Sequence, residues 1–144
     1  MVLGVLQQHT LDDTLVEIER LATDYAQDVI DYVYMKPSEF FTFVKQIKYV
    51  KDPKGKEFVK RPKYTIEFNE GDCDDKTVVC LAYFKLKNIP CGYSIVGNKD
   101  FYHHIFPFVI ANGKKIDYDA TYSNNKLGER KDWLIRKDYI FIGE

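Results

Sequence analysis

The residues that most constrain the fold are residues 74–87, a predicted helix whose middle has almost no polar face. Its apolar residues fall on every side of the helix: Val78, Val79, Leu81, Ala82, Tyr83, Phe84 and Leu86. A helix that is apolar all round is buried, because none of its sides is suited to water. Residues 88–90, Asn-Ile-Pro, end it, since the residue before a proline disfavours the helical conformation. We therefore predict that residues 74–87 lie at the centre of the domain.

The length of 144 residues suits one domain with a buried core. Aromatic residues make up 15% of the chain, which favours an ordered globular protein over a disordered one. We predict a single domain over residues 1–144, with N-terminal helices in residues 1–48 and the core that carries the chemistry in residues 49–144.

The N-terminal third is predicted to be helical. Residues 11–32 carry apolar side chains at alternating steps of four and three, which predicts an amphipathic helix of about six turns. Such a helix can bind a partner or lie on its own core, and we favour its own core. Residues 36–38, Lys-Pro-Ser, end it, and Ser38 is expected to cap a second helix. A turn-rich loop follows at residues 52–56, and residues 60–68, whose pattern is ambiguous, are expected to be extended.

The C-terminal half alternates between apolar runs and turn signals. Residues 92–96 and 138–142 are predicted strands. Between them, residues 103–110 and 114–122 flank Asn112-Gly113, and Asn-Gly between two such runs is the strongest short hairpin signal. Helices followed by a hairpin-rich segment indicate an α+β domain.

Charge and cysteine usage exclude several classes of function. The net charge is −1, with 21 basic and 22 acidic residues, so we expect neither nucleic-acid nor membrane binding. Met1 to Gln8 have no basic segment and no clear cleavage site, so we expect no signal peptide. The three cysteines then suit reduced thiols in the cytoplasm. Their spacing matches no zinc motif, and we expect no metal and no cofactor.

Cys73 stands where a glycine turn enters the buried helix. A thiol at a helix N-terminus lies at the positive end of the helix dipole, which lowers the pKa of the thiol. The interaction of a thiolate with the dipole contributes about 0.3–1 kcal/mol. Asp72, Asp74 and Asp75 oppose this, because a unit charge ~4 Å away costs about 1 kcal/mol even in water. These aspartates are expected to cap the helix rather than to bind a metal. Cys73 therefore needs a positive partner, such as an imidazolium, to act as a nucleophile.

The predicted hairpin can supply that partner. A two-residue loop at Asn112-Gly113 places His104 and Asp119 on the same face as diagonal neighbours. Diagonal pairs lie ~7–8 Å apart at the backbone, within reach of a side-chain hydrogen bond. Asp119 could then orient His104 as the third member of a catalytic triad. A register slip of one residue would select His103 instead, and Asp117 is the rival carboxylate on that face.

Three motifs resemble those of transglutaminase-like domains. Residues 71–77, Gly-Asp-Cys-Asp-Asp-Lys-Thr, resemble the cysteine motif, and residues 102–107, Tyr-His-His-Ile-Phe-Pro, resemble the histidine motif. Residues 113–121 resemble the strand that ends in the catalytic aspartate, and residues 49–53 resemble the family's segment upstream of the cysteine. The resemblance covers about residues 44–128, and the short Gly-Asp-Cys-Asp-Asp form resembles members encoded by phages and mobile elements.

The resemblance implies a papain-like α+β fold in which the cysteine-bearing helix packs on an antiparallel sheet. It also implies acyl transfer through a thioester, with Cys73, His104 and Asp119 as the triad. Protein or peptide amides are the implied substrates, and hydrolysis is favoured over transamidation because no calcium loop is evident. Family members often carry tryptophan where this chain has Phe106 and Lys115, which puts the substrate groove in doubt.

The second hypothesis is a non-catalytic binding or assembly protein on the same fold, such as a phage structural component. The N-terminal helix could then support a homo-oligomer or a virion-associated assembly. A Cys73 sealed by aromatic side chains, with His104 pointing away, would favour this alternative. The remaining thiols, Cys80 and Cys91, are expected to be core residues, and the basic stretch in residues 51–63 is expected to be a solvated loop.

Overall fold

The computed structural model describes residues 8–52 and 58–144. Our expectation of no signal peptide concerns residues 1–8, of which all but the last lie outside the described residues. Most of the predicted turn-rich loop, residues 52–56, also lies outside them. The helices are α1 (Gln8–Asp24), α2 (Pro37–Lys45), α3 (Pro62–Phe68) and α4 (Cys73–Lys87). The strands are β1 (Lys48–Tyr49), β2 (Glu70–Gly71), β3 (Cys91–Gly97), β4 (His104–Ala111), β5 (Lys114–Asp117) and β6 (Ile135–Ile142).

Helix α4 is the centre of the fold, as its apolar sequence predicts. Every residue from Cys73 to Phe84 is buried. The helix packs against β4 on one side and against α1 and α3 on others. The sheet has the strand order β5-β4-β3-β6 with antiparallel neighbours. The predicted α+β architecture, with the cysteine helix on an antiparallel sheet, is therefore confirmed.

Helix α1 lies on the core of its own chain. Leu11, Leu15 and Ile18 are buried in the same apolar cluster as α4. The α-helix is shorter than predicted, however, because it ends at Asp24 and residues Ala26–Tyr32 continue as a 3₁₀ helix. The tighter 3₁₀ turn still buries Val29, which explains why the apolar spacing persists beyond the end of the α-helix.

The prediction that Ser38 caps α2 is wrong. Lys36 occupies the N-cap position, and Pro37 fills the first helical position, where a missing N–H costs nothing. The Glu39 carboxylate accepts a hydrogen bond from the Lys36 N–H at 2.8 Å. The backbone donor at this helix start is thus satisfied from within the helix rather than by Ser38.

The prediction of an extended conformation for residues 60–68 is also wrong. Pro62 begins α3, and Asn69, with φ of 52°, ends it in the left-handed conformation. Thr65 lies on the buried face of α3, whereas Tyr64 and Phe68 are exposed and stack on each other. The alternation of Tyr64, Ile66 and Phe68 resembled a strand, but the proline and asparagine at its ends define a short helix.

The hairpin has the predicted two-residue loop at Asn112-Gly113. Ala111 pairs with Lys114 and Val109 pairs with Ile116, as the register requires. The second strand is shorter than predicted, because β5 ends at Asp117 and the following residues form a loop. No helix among the described residues is long and apolar enough to cross a membrane.

Candidate active site

Cys73 is the first residue of α4, and two features of the backbone hold it there. Strand β1 pairs in parallel with β2, which leads the chain directly into the helix. Asp72 is the N-cap, and one of its carboxylate oxygens accepts from the N–H groups of Asp74 and Asp75 at 3.1 and 3.2 Å. The Asp75 carboxylate in turn accepts a hydrogen bond from the Asp72 N–H at 3.1 Å, which completes a capping box. The aspartates thus cap the helix as expected.

His104 and Asp119 are brought into direct contact. The Nε2 atom of His104 lies 2.8 Å from the Asp119 carboxylate, and both residues are buried. The N–H of Thr121 donates to the other carboxylate oxygen at 3.1 Å. Burial alone would raise the pKa of Asp119, but the hydrogen bond and charge of His104, with the Thr121 bond, hold it below its ordinary value. Asp119 therefore stays ionised beside the ring.

The contact through Nε2 decides which ring nitrogen of His104 can act on the thiol. With Nε2–H donating to Asp119, Nδ1 carries the lone pair of the neutral ring. A backbone hydrogen bond from Ile105, the residue after His104, reaches the sulfur of Cys73. The thiol thus lies against the start of β4, where His104 is located.

The surroundings of Cys73 favour its neutral thiol over its thiolate. Burial, followed by the charges of Asp74 and Asp72, raises the pKa of Cys73 well above its ordinary value, against the lowering effect of the Ile105 N–H. The thiol donates a long hydrogen bond of 3.8 Å to the Asp74 carboxylate. The helix start alone does not ionise this cysteine, so its proton must be removed during the reaction by a base.

Replacing Asp74 by asparagine should lower the pKa of Cys73, because a neutral amide removes the nearest negative charge. Alkylation by iodoacetamide, followed across pH, should then show a profile shifted to lower pH by about one unit. Burial remains in the variant, so the shift should not restore the ordinary pKa of a free thiol. Asp24→Asn, on an exposed helix face, is the control. An unchanged profile would show that Asp74 has no electrostatic effect on the thiol.

Aromatic rings surround His104. Its ring centroid lies 5.6 Å from Phe106, 5.9 Å from Tyr122 and 5.8 Å from Trp133. Trp133 comes from the loop before β6 and was not predicted to be near the site. Its signal in the sequence was that it is the chain's one tryptophan. It places an indole beside the histidine although Phe106 and Lys115 occupy the positions where the family often has tryptophan.

The surface of the site is nearly closed over the thiol. Cys73 is only 2% exposed and His104 only 5%. A cleft of about 400 Å³ is lined in part by Lys48, Tyr49 and Tyr122, and Tyr122 is its link to the site because its ring stacks on His104. The covered cysteine is the feature expected of a non-catalytic protein, whereas the bonded histidine and aspartate are those expected of a triad.

The rival residues of the sequence analysis are placed elsewhere. Asp117 forms a bidentate ion pair with Arg136, with N–O distances of 2.9 and 2.8 Å. The Nε2 atom of His103 accepts from the Asn98 N–H at 3.1 Å, and its ring meets the edge of Trp133 at 5.8 Å. Cys80 and Cys91 are buried in the core.

Lys76 is a buried lysine that the sequence analysis did not single out. Its ammonium donates to the carbonyls of Ile47 at 2.6 Å and Thr121 at 2.9 Å, with Ala120 at 3.5 Å. Burial lowers the pKa of Lys76 to about 8, against the opposing charges of Cys80 and Asp119. This residue ties α4 to the chain segments on either side of the cleft.

The described residues include one cluster of acidic side chains that could hold a metal ion. The carboxylates of Asp52, Asp72 and Asp75 have oxygens within 4.8 Å of one another. The Oδ2 atom of Asp72 is buried without a hydrogen-bond partner. Burial, and then the charges of Asp75 and Asp52, raises the pKa of Asp72 to about 8. The Lys60 ammonium supplies a counter-charge 3.2 Å from Asp75.

Solved structures show which fold this is. EGTA-treated LapG from Legionella pneumophila, a transglutaminase-like cysteine protease, superimposes with a TM-score of 0.52 over 78% of this chain and 72% of that chain, at 16% identity. The chain has the transglutaminase-like fold. Calcium-bound LapG matches with a TM-score of 0.49 at 18% identity, over 78% of this chain and 74% of that one.

A proposed cysteine protease from Cytophaga hutchinsonii matches with a TM-score of 0.42 at 17% identity, over 88% of this chain and 46% of that one. No protein-family model and no curated protein sequence matches the chain. The match to EGTA-treated LapG supports the transglutaminase-like architecture expected from the three motifs.

Proposed function

We propose that the protein is a cysteine-dependent acyl-transfer enzyme that acts on protein or peptide amides, with Cys73, His104 and Asp119 as its triad. The observation that carries the proposal is the 2.8 Å contact between His104 and Asp119, both buried, in a fold whose central helix begins at Cys73. Buried polar pairs of this kind recur where a base must be held in one tautomer.

The geometry suggests how the reaction proceeds. Nδ1 of His104 takes the proton of Cys73 as the sulfur attacks the substrate carbonyl, because the resting thiol is neutral. The imidazolium that forms is stabilised by the ionised Asp119 on its other nitrogen. His104 then protonates the leaving amine, and a thioester remains on Cys73. Water releases the acyl group in a hydrolase, whereas an amine releases it in a transglutaminase, and we favour water.

Acetylation by p-nitrophenyl acetate tests this proposal without a known substrate. We expect the acetyl group on the peptide that carries Cys73, located by mass spectrometry, and none on the peptides of Cys80 and Cys91. Cys73→Ala should remove the burst of nitrophenol, whereas Cys80→Ala should retain it. Equal acetylation of all three cysteines would contradict the proposal. A peptide-library assay with and without a fluorescent primary amine would then separate hydrolysis from transamidation.

A second candidate, a non-catalytic binding or assembly protein, is favoured by the covered thiol, which is 2% exposed. If the protein is not catalytic, Cys73 should be acetylated only after the protein is unfolded in denaturant. The same experiment repeated with native and unfolded protein therefore separates the two candidates.

The cluster of Asp52, Asp72 and Asp75 supports an accessory role for a divalent cation. The buried Oδ2 of Asp72 has no protein partner, and convergent carboxylate oxygens are the ligands that hard cations prefer. Asp52, Asp72 and Asp75 would hold such an ion. When bound, it would supply positive charge beside the helix start, where Asp72 otherwise raises the pKa of Cys73.

A further inference from the structure

The cleft of about 400 Å³ is positively charged, although the net charge of the chain is −1. Its walls come from two segments, residues 45–49 and residues 121–124. The residues that line it include Lys45 and Lys48 but neither an aspartate nor a glutamate. Because the chain as a whole is slightly acidic, this positive charge is a local property of the cleft, and it favours anions there over cations.

Lys48 stands on the wall of the cleft without a counter-ion. It is an exposed residue of β1, and it forms no ion pair with any residue that the structure describes. Its backbone pairs with that of Glu70, but the two side chains do not form an ion pair. Lys60 and Arg61, by contrast, are paired with carboxylates at 3.2 and 2.7 Å. The charge of Lys48 therefore remains available to a ligand.

Lys45 is held in place by neutral groups. Its ammonium donates to the Asn125 carbonyl at 3.1 Å and lies 5.5 Å from the centre of the Phe41 ring. Neither partner cancels the charge, since a carbonyl and a ring carry no net charge. The hydrogen bond also joins the end of α2 to the loop after Asp119. Lys45 is thus fixed at the edge of the cleft with its charge uncompensated.

Lys76 adds a third ammonium beneath the floor of the cleft. Ile47 and Thr121 line the cleft, and their carbonyls accept from this ammonium at 2.6 and 2.9 Å. The negative ends of both carbonyl dipoles are thus turned towards the lysine. The charge of Asp119 acts on Lys76, but that carboxylate is already bonded to His104 at 2.8 Å. Buried charges are screened less than exposed ones, so Lys76 adds to the positive potential of the cleft.

Aromatic rings connect the cleft to the proposed catalytic base. Tyr122 lines the cleft, and its ring stacks on that of His104 with 5.9 Å between centroids. The ring of Tyr49, also in the lining, lies 5.1 Å from that of Tyr122. The volume of the cleft is within the range of about 300–1,000 Å³ that is usual for ligand sites. A polypeptide in the cleft would therefore lie one aromatic ring away from His104.

Resting on the proposed acyl transfer, we propose that this cleft binds acidic side chains of the substrate polypeptide, with Lys48 and Lys45 as the residues that determine this specificity. Carboxylates of the substrate pair with the two ammonium groups on the walls. The methylene groups of the same side chains pack on the rings of Tyr49 and Tyr122. The substrates are then proteins or peptides in which aspartate or glutamate lies near the amide that reacts.

The first test measures binding alone, with hexaglutamate and hexaglutamine peptides that carry the same fluorophore. Fluorescence anisotropy should show that the wild-type protein binds hexaglutamate more tightly than hexaglutamine. Lys48→Glu should weaken hexaglutamate binding by about tenfold, because it replaces an attraction by a repulsion. Lys48→Gln should weaken it less. Lys85→Glu, an equal change of charge at an exposed residue near the far end of α4, is the control and should bind as the wild-type protein does.

The second test connects the cleft to catalysis. Unlabelled hexaglutamate should slow the acetylation of Cys73 by p-nitrophenyl acetate in a saturable way, and hexaglutamine should not. Equal binding of the two peptides, or unchanged binding in Lys48→Glu, would overturn the inference. Hexaglutamate that binds without changing the acetylation rate would show that the cleft is not part of the active site. If Cys73 is not acetylated even without a peptide, the proposed acyl transfer fails, and the inference about its substrates fails with it.

Discussion

Replacing Asp119 by asparagine should slow the acetylation of Cys73 by about 10³–10⁴-fold while the protein remains folded. The carboxylate accepts from Nε2–H of His104 at 2.8 Å, whereas an amide that donates its N–H to Nε2 would move the ring proton to Nδ1. A ring protonated at Nδ1 cannot accept the thiol proton. The measurement is the nitrophenol burst with p-nitrophenyl acetate, together with iodoacetamide alkylation, which should also slow.

Asp117→Asn is the control for that variant, because Asp117 is the rival carboxylate on the same face. It pairs with Arg136 rather than with His104, so its loss should lower the free energy of unfolding but not the acetylation rate of the folded protein. A larger loss of acetylation in Asp117→Asn than in Asp119→Asn would contradict the assignment of Asp119 as the orienting residue.

The effect of Asp119→Asn on stability should depend on pH. The folded-state pKa of Asp119 is lowered, so its contribution to stability is present above its ordinary pKa and is lost as pH falls through the folded-state value. Melting temperatures of the variant and the wild-type protein should therefore differ more at neutral pH than in acid. A difference that grows in acid would contradict the lowered pKa.

Gly92→Ala should lower the free energy of unfolding by about 3 kcal/mol or more. A Cβ at this position would lie 2.1 Å from the Tyr139 carbonyl oxygen and 2.6 Å from the Phe108 ring. Strand β3 is paired on both edges, and the register between β3 and β6 shifts next to Gly92. Neither neighbouring strand can move away without breaking ladder bonds, so the clash cannot be relieved cheaply.

Urea denaturation of Gly92→Ala and Gly143→Ala would measure this effect. Gly143 is the matched control, because a Cβ there meets no atom within 4 Å. We expect Gly143→Ala to change the free energy of unfolding by less than about 0.5 kcal/mol. Similar values for the two variants would show that β6 can separate from β3 at Gly92 at little cost.

The parts of the fold that could be predicted from the sequence are those with strong local signals. The central helix followed from its lack of a polar face, and the hairpin register followed from Asn112-Gly113. The contact of His104 with Asp119 followed from that register, although β5 ends before Asp119 and a loop completes the approach. A local rule sufficed here because the two residues are close along the hairpin.

Other parts depend on contacts between distant segments. Trp133 reaches His104 from the loop before β6, and no periodicity indicates where a loop residue lies. Residues 60–68 alternate as a strand would, but Pro62 and Asn69 terminate a helix instead. Tyr49 lay in a motif quoted for its resemblance, yet its pairing with Gly71 depends on a two-residue parallel ladder that has no pattern of its own.

The ammonium of Lys76 has a consequence for how the site is assembled. It is removed from water only when the carbonyl of Ile47 and that of Thr121 are both in place. Until then the burial of a lone charge is unfavourable, so the segment that carries Tyr49 and the segment that carries Asp119 gain their order in one step. A partly folded chain therefore holds the nucleophile without the carboxylate that orients His104, and the reactive centre exists only in the completed fold.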